Sequence, residues 1–208
     1  MQLLISHFSA LELMRQQELR PALERRQRCD AFVPDSGPRD DELLDAIAMP
    51  PLARLTQPIE ALVATEAGRR RSKLVRTHAA SRPLPAGSAV LVASVPGVCC
   101  VSPEHLAVQL APRLSELELI VLLSELMGVY AIAPELEGSM FQRRSAITTR
   151  ERITAHLDAL GSFAGVAKVR RALRHACVES GSPRETKLAL RLGLNPARGG
   201  YGLDVLSM

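Results

Sequence analysis

The sequence contains no tryptophan, and aromatic residues make up only 3% of its 208 positions. A hydrophobic core must therefore be built mainly from leucine, valine, isoleucine and alanine. The shortage of aromatic side chains also argues against a surface that binds single-stranded nucleic acid by stacking its bases, because such surfaces are made of aromatic rings.

The cysteines show no pattern that is typical of a metal site or of a disulfide framework. None of the four belongs to a Cys-x-x-Cys pair, and Cys99 and Cys100 are adjacent. We therefore predict four free thiols, which suit a reducing cytosol.

Several motifs of catalysis are missing as well. The sequence has no glycine-rich loop followed by Lys-Ser/Thr, no Gly-x-Ser-x-Gly turn and no His-Glu-x-x-His helix. His78 is a candidate base or metal ligand, but it has no partner nearby in the sequence, and a structural role is the favoured interpretation. The same holds for His105 and His156. We predict no metal and no cofactor.

Neither a signal peptide nor a membrane span is predicted. The apolar start, residues 1–6, is too short for the hydrophobic part of a signal peptide. The most apolar window, residues 117–133, contains Glu118 and Glu125, so it indicates a buried or amphipathic helix. A cytoplasmic protein without a membrane partner is the prediction.

The clearest positive signals are helix starts and short strands. Capping boxes begin at Ser115, Thr148 and Ser182, each with a glutamate three residues later. In the last of these helices Leu188 and Leu192 share one face and are expected to pack inward. Strands are predicted over 58–65, 73–79, 90–95 and 98–101, and an irregular stretch over 132–145. The sequence therefore predicts an α+β fold, a small mixed sheet with a helical C-terminal half.

A mild excess of positive charge, +4 overall, is concentrated in two places. The densest cluster is a predicted turn and the start of the next strand, with Arg69, Arg70, Arg71, Lys73 and Arg76. The second is the outer face of a helix predicted over 165–178, with Lys168, Arg171 and Arg174. Guanidinium groups bind phosphate oxygens in pairs, so both clusters are candidate nucleic-acid-binding sites. A solvated turn and a solvated helix face are the alternatives.

Three segments carry a resemblance to a known family. Residues 181–188 (Gly-Ser-Pro-Arg-Glu-Thr-Lys-Leu), 199–203 (Gly-Gly-Tyr-Gly-Leu) and 97–111 resemble a group of actinobacterial proteins. The N-terminal region of that group is similar to AbiEi-type abortive-infection antitoxins. Its C-terminal domain is similar to the very-short-patch-repair endonucleases of the PD-(D/E)XK superfamily. The resemblance implies an AbiEi-like region over 1–164 and, over 165–208, a helical segment leading into an endonuclease-like domain that is truncated.

The resemblance also implies which residue would assist a nuclease metal site. Glu185 matches the glutamate on the first nuclease helix, but the metal-binding Asp and the Glu-x-Lys pair have no counterpart after Leu192. Because Mg²⁺ and an activated water need more than one carboxylate, Glu185 is expected to act mainly as a helix cap.

The resulting expectation is a non-catalytic protein that binds DNA or a partner protein in phage defence or a toxin–antitoxin setting. One alternative is a Mg²⁺-dependent endonuclease that is completed by another chain. The other is a structural protein-interaction module. The sequence does not specify an oligomeric state.

Overall fold

The computed structural model describes residues 1–136 and 139–203. Within them it confirms the α+β class, with a mixed five-stranded sheet, a two-stranded sheet and eight α-helices. The chain divides into two compact units, Met1–Leu106 and Ala107–Met208. The boundary between residues 164 and 165, which the resemblance implies, lies inside the second unit and stays a prediction.

The first unit is built around the five-stranded sheet. Its elements are β1 (Leu3–Ile5), α1 (His7–Met14), α2 (Arg20–Glu24), α3 (Asp40–Ile47), β2 (Ile59–Val63), β3 (Val75–Ala79), β4 (Ala89–Leu91) and β5 (Val98–Val101). The strand order is β3-β2-β1-β5-β4, which places β3 and β4 at the two ends of the sheet. β2 and β3 run parallel, as do β1 and β5, and the other two pairs are antiparallel.

The core of the first unit follows the central strand. All three residues of β1 are buried, as expected for a strand with a neighbour on each side and cover on its faces. α1 packs against β2 and β5. The strand predicted over 90–95 is shorter than expected, because the chain turns after Leu91 and Val95 donates its N–H to the carbonyl of Val92.

The second unit is mainly helical and contains a small hairpin. After α4 (Pro103–Leu110), which begins in the first unit, its elements are α5 (Glu116–Leu126), β6 (Tyr130–Ile132), β7 (Met140–Gln142), α6 (Arg150–Leu160), α7 (Val166–Leu173) and α8 (Pro183–Gly193). α5 packs against β6, α7 and α8, and α6 packs against α7. The prediction of an irregular stretch over 132–145 is wrong for Ile132 and for Met140–Gln142, because β6 and β7 pair there as an antiparallel hairpin.

Two of the three predicted helix starts are confirmed. Ser115 accepts from the Glu118 N–H at 3.2 Å while the Glu118 carboxylate accepts from the Ser115 N–H at 2.7 Å. These bonds to the charged carboxylate lower the pKa of Glu118. Ser182 likewise accepts from the N–H of Glu185. The third start is one residue later than predicted: Thr149, not Thr148, caps α6 and accepts from the N–H of Arg152.

The packing face of α8 differs from the prediction. Thr186 and Leu190 are buried, whereas Leu188 is 60% exposed and Leu192 is half-buried, so the prediction that Leu188 packs inward is wrong. Residues 199–203 fold back along the end of α8, where Leu203 donates its N–H to the carbonyl of Leu192. Residues 204–208 lie outside the described residues.

Among the helices of the described residues, none combines the length and the apolar character that crossing a bilayer requires.

Candidate functional site

A small cavity of about 260 Å³ lies at the outer edge of the sheet in the first unit. It is lined by Arg69, Arg70, Arg71, Arg76 and Thr77. Four of the five residues of the predicted basic cluster therefore border one space, whereas Lys73 is exposed outside this lining. The cavity collects guanidinium groups, which suits it to an anion.

The backbone of the basic turn is held in place by β3. Thr77 Oγ1 accepts from the Arg70 N–H at 2.6 Å, and the Thr77 N–H donates to the Arg70 carbonyl at 2.9 Å. Gly37 closes the turn from the other side, since a Cβ there would lie 2.8 Å from Thr77 Cγ2. The main chain of the turn is thus fixed by contacts that do not use the arginine side chains.

Arg76 supplies the most specific feature of the cavity. The side chain lies on β3 and is half-buried, and its Nε is buried without a hydrogen-bond partner among the described residues. A buried donor that lacks a partner costs about 1–3 kcal/mol. By contrast, Arg69 is already paired with Glu66 at 2.8 Å on the surface.

The second predicted cluster lies on α7 in the second unit. Arg171 and Arg174 are exposed, as predicted, but the Lys168 ammonium donates to the Leu114 carbonyl. Burial and the neighbouring Arg198 lower the pKa of His175, so this histidine is neutral at physiological pH. Lys168 keeps its charge in this contact, and Arg171 and Arg174 are the fully exposed cations of the predicted cluster.

Glu185 is the third residue of α8, and its carboxylate reaches back to the residues that precede the helix. Its Oε2 accepts from the Gly181 N–H at 2.8 Å, and its Oε1 accepts from the Ser182 hydroxyl at 3.2 Å. Both carboxylate oxygens are therefore used in holding the start of α8. The metal-assisting role that the resemblance implies stays a prediction. Within residues 1–136 and 139–203, Glu185 belongs to no group of three side chains whose ligand atoms are close enough to share an ion.

A second group of polar side chains in the first unit was not expected from the sequence. His7, Glu60 and His78 each place one potential ligand atom within 4.8 Å of the others. His78 Nε2 lies 3.1 Å from Glu60 Oε1, and the centroids of the two imidazole rings are 4.2 Å apart. The three residues are far apart in the sequence, so only the pairing of β1, β2 and β3 brings them together.

The thiols of Cys29 and Cys99 contact each other, and both cysteines are free. Burial, followed by the neighbouring Cys29, raises the pKa of Cys99 to about 11. This thiol is therefore protonated at neutral pH and is a poor nucleophile.

An apolar groove of about 400 Å³ lies in the second unit. Leu117, Tyr130 and Leu190 contribute to its wall, and Tyr130 fixes one side through a 2.9 Å hydrogen bond between its hydroxyl and Thr186 Oγ1. Leu117 is half-exposed at its rim. The groove is an apolar surface of the kind that binds other proteins or small molecules.

No family model, curated protein or solved structure matches the chain. The assignment of a function therefore depends on the side chains of these sites. Of them, the arginine cavity combines the strongest charge with a donor that needs a partner.

Proposed function

We propose that the protein binds nucleic acid without cleaving it, and that the arginine cavity in the first unit binds the phosphate backbone. The observation that carries this proposal is the convergence of Arg69, Arg70, Arg71 and Arg76 on one cavity, with the buried Nε of Arg76 lacking a partner among the described residues. A phosphate presents several acceptor oxygens on a compact anion, and a guanidinium fork matches that arrangement.

The chemistry of the cavity favours the backbone over the bases. The lining contains no amide or carboxylate side chain, and its one hydroxyl, that of Thr77, already bonds the Arg70 backbone, so guanine, which arginine can bind through O6 and N7, is the one base that the cavity could read. Contacts of arginine with phosphate oxygens, by contrast, position nucleic acid without selecting a sequence. Binding is therefore expected to be similar for unrelated duplexes.

The two alternatives have weaker support. A Mg²⁺-dependent endonuclease completed by another chain would need Glu185 as a ligand, and both oxygens of that carboxylate already cap α8. A protein-interaction module is supported by the apolar groove of the second unit. The proposed role in phage defence is supported by the family resemblance alone.

The test is the salt dependence of DNA binding. Fluorescence anisotropy with two unrelated duplexes would measure affinity from low to high salt for the wild type and for the variant Arg69→Gln/Arg70→Gln/Arg71→Gln. If each arginine neutralises one phosphate, the slope of log affinity against log salt falls in magnitude by about 3. Melting curves should change little, because surface substitutions usually cost less than about 0.5 kcal/mol each.

A matched control is available in the second unit. Lys168→Gln/Arg171→Gln/Arg174→Gln removes the same number of positive charges from α7 and should leave most of the slope in place. Equal losses in both variants would show that net charge, not the cavity, determines binding. A wild-type affinity that does not change with salt would reject nucleic-acid binding and favour the protein-interaction alternative.

A further inference from the structure

The group His7, Glu60 and His78 is assembled by the sheet of the first unit. β2 and β3 run parallel, and Leu62 lies opposite His78. Because Glu60 precedes Leu62 by two positions on β2, Glu60 and His78 project from the same face of the sheet. The chain leaves β1 at Ser6, whose N–H donates to the Glu60 carbonyl at 2.9 Å. The next residue, His7, thereby comes to lie over the same two strands.

His7 is held in an unusual backbone conformation. Its φ is 50°, in the left-handed region that non-glycine residues seldom adopt. Such residues concentrate at functional sites, where the surrounding structure maintains the strain. Here the neighbours on both sides are fixed: Ser6 is fully buried, and the Phe8 N–H donates to Glu60 Oε2 at 3.0 Å.

The three ligand atoms have the composition of a metal site, and one pair of them has the spacing. Imidazole nitrogen and carboxylate oxygen bind Zn²⁺ at about 2.0–2.2 Å, so two of them on a tetrahedral ion lie about 3.3 Å apart. His78 Nε2 and Glu60 Oε1 are 3.1 Å apart, close to that spacing. Two histidines and one carboxylate are also the ligand set of zinc sites that keep one position open.

The surroundings supply the contacts that orient metal ligands. Ser6 Oγ lies 2.9 Å from His7 Nδ1, and Glu60 Oε2 accepts from the Phe8 N–H. Outer hydrogen bonds of this kind fix the orientation of ligating side chains. The side chain of His78 remains 21% exposed and that of Glu60 10%, so an ion and a water molecule can enter from solvent.

We propose that His7, Glu60 and His78 bind one divalent transition-metal ion, Zn²⁺ or one of similar preference, with water in the fourth position. The proposal is independent of nucleic-acid binding, because none of the three residues lines the arginine cavity. Zn²⁺ is favoured over Mg²⁺ because Mg²⁺ prefers oxygen ligands in octahedral geometry, and two of the three ligands here are imidazoles.

The test uses the full chain after removal of metal with a chelator. Competition with a chromophoric chelator would measure Zn²⁺ affinity and stoichiometry for the wild type, His78→Gln and Glu60→Gln. We expect about one ion per chain for the wild type. Each ligand variant should bind more than about 100-fold more weakly, since the loss of an outer contact alone costs about 10–100-fold.

Matched controls separate this site from other sources of binding. His175→Gln and Glu66→Gln change the same residue types elsewhere and should leave the affinity unaltered. Cys29→Ser/Cys99→Ser removes the pair of adjacent thiols in the first unit and should also leave the Zn²⁺ affinity unaltered. Co²⁺ should give the visible spectrum of a nitrogen- and oxygen-ligated tetrahedral ion, without thiolate bands. Mg²⁺ should not compete at equal concentration.

Several results would overturn the proposal. They are the absence of Zn²⁺ binding by the wild type, equal binding by folded His78→Gln, and binding that is lost in the cysteine variant. Glu60→Gln removes a buried carboxylate and can fail to give the wild-type circular dichroism spectrum. In that case His78→Gln alone decides the test, because His78 lies on an edge strand.

Discussion

The packing face of α8 can be tested with two identical substitutions that lie two residues apart. Leu190 is only 4% exposed, whereas Leu188 is 60% exposed. Leu190→Ala therefore loses nearly all the transfer free energy of a buried leucine side chain, about 1.5–3 kcal/mol, and also leaves a cavity. Together these two effects lower the free energy of unfolding by about 2–5 kcal/mol at such sites.

Leu188→Ala is the control for that variant. Less than half of the Leu188 side chain is removed from water, and solvent fills the space that the substitution leaves. The free energy of unfolding should therefore fall by less than about 1 kcal/mol. The small gain in helix propensity from leucine to alanine is the same at both positions and cancels in the comparison. The difference between the two variants thus reports packing alone.

Urea denaturation followed by circular dichroism is the assay. With about 1–3 kcal/mol per molar urea, Leu190→Ala should lower the midpoint by about 1 M or more, and Leu188→Ala by much less. Equal shifts, or a larger shift for Leu188→Ala, would refute the packing of α8 through Thr186 and Leu190. That result would restore the face predicted from the sequence.

Two further predictions concern buried groups of the first unit. Arg28 binds Glu104 in a bidentate pair at 2.8 and 3.1 Å, with both side chains almost fully buried. Arg28→Gln removes the guanidinium charge from beside this buried carboxylate and should cost about 3–5 kcal/mol in denaturant melts, whereas a loss below about 1 kcal/mol would contradict this. Cys99, whose pKa is about 11 against a usual 9.0, should react with iodoacetamide slowly at neutral pH and faster as pH rises toward 11. Its raised pKa stabilises the folded state below pH 9, and this contribution is lost as pH rises toward 11. Fast labelling of Cys99 at neutral pH would be the contrary result.

Local signals in the sequence were enough for the fold class and for most helix starts. Ser115 and Ser182 each place a glutamate at the third helical position, and from there its carboxylate reaches back to a backbone N–H, that of Ser115 in the first helix and that of Gly181 in the second. The β6–β7 hairpin escaped detection because each strand has only three residues. So short a strand leaves little alternation to recognise.

The face of α8 could not be chosen from the sequence because apolar residues occur at every second position. Leu188 and Leu192 form one pair four residues apart, and Leu190 and Leu194 form another. Each pair satisfies the spacing of a buried helix face. The choice between them is made by tertiary packing against α5, which the local pattern does not encode.

Of the two candidate sites in the first unit, one could be predicted from the sequence and the other could not. The arginine cavity was detectable because three of its members are consecutive and the fourth follows five residues later. The partners of His78 could not be detected in the sequence, because Glu60 and His7 approach it only through strand pairing. A histidine without neighbours in the sequence therefore carries little information about its surroundings in the fold.

The position of β3 at the end of the sheet has a consequence for solubility. The last strand of a sheet offers unpaired backbone groups on which a second molecule can add its own strand. Here the segment of Arg70, Arg71 and Ser72 occupies that place, because Ser72 donates its N–H to the carbonyl of Val75 and Arg70 pairs with Thr77. Its charged side chains repel another copy that approaches the same edge. Deletion of this segment would therefore expose β3 and promote self-association, whereas substitution of the arginines by glutamine keeps the backbone cover and removes only the repulsion.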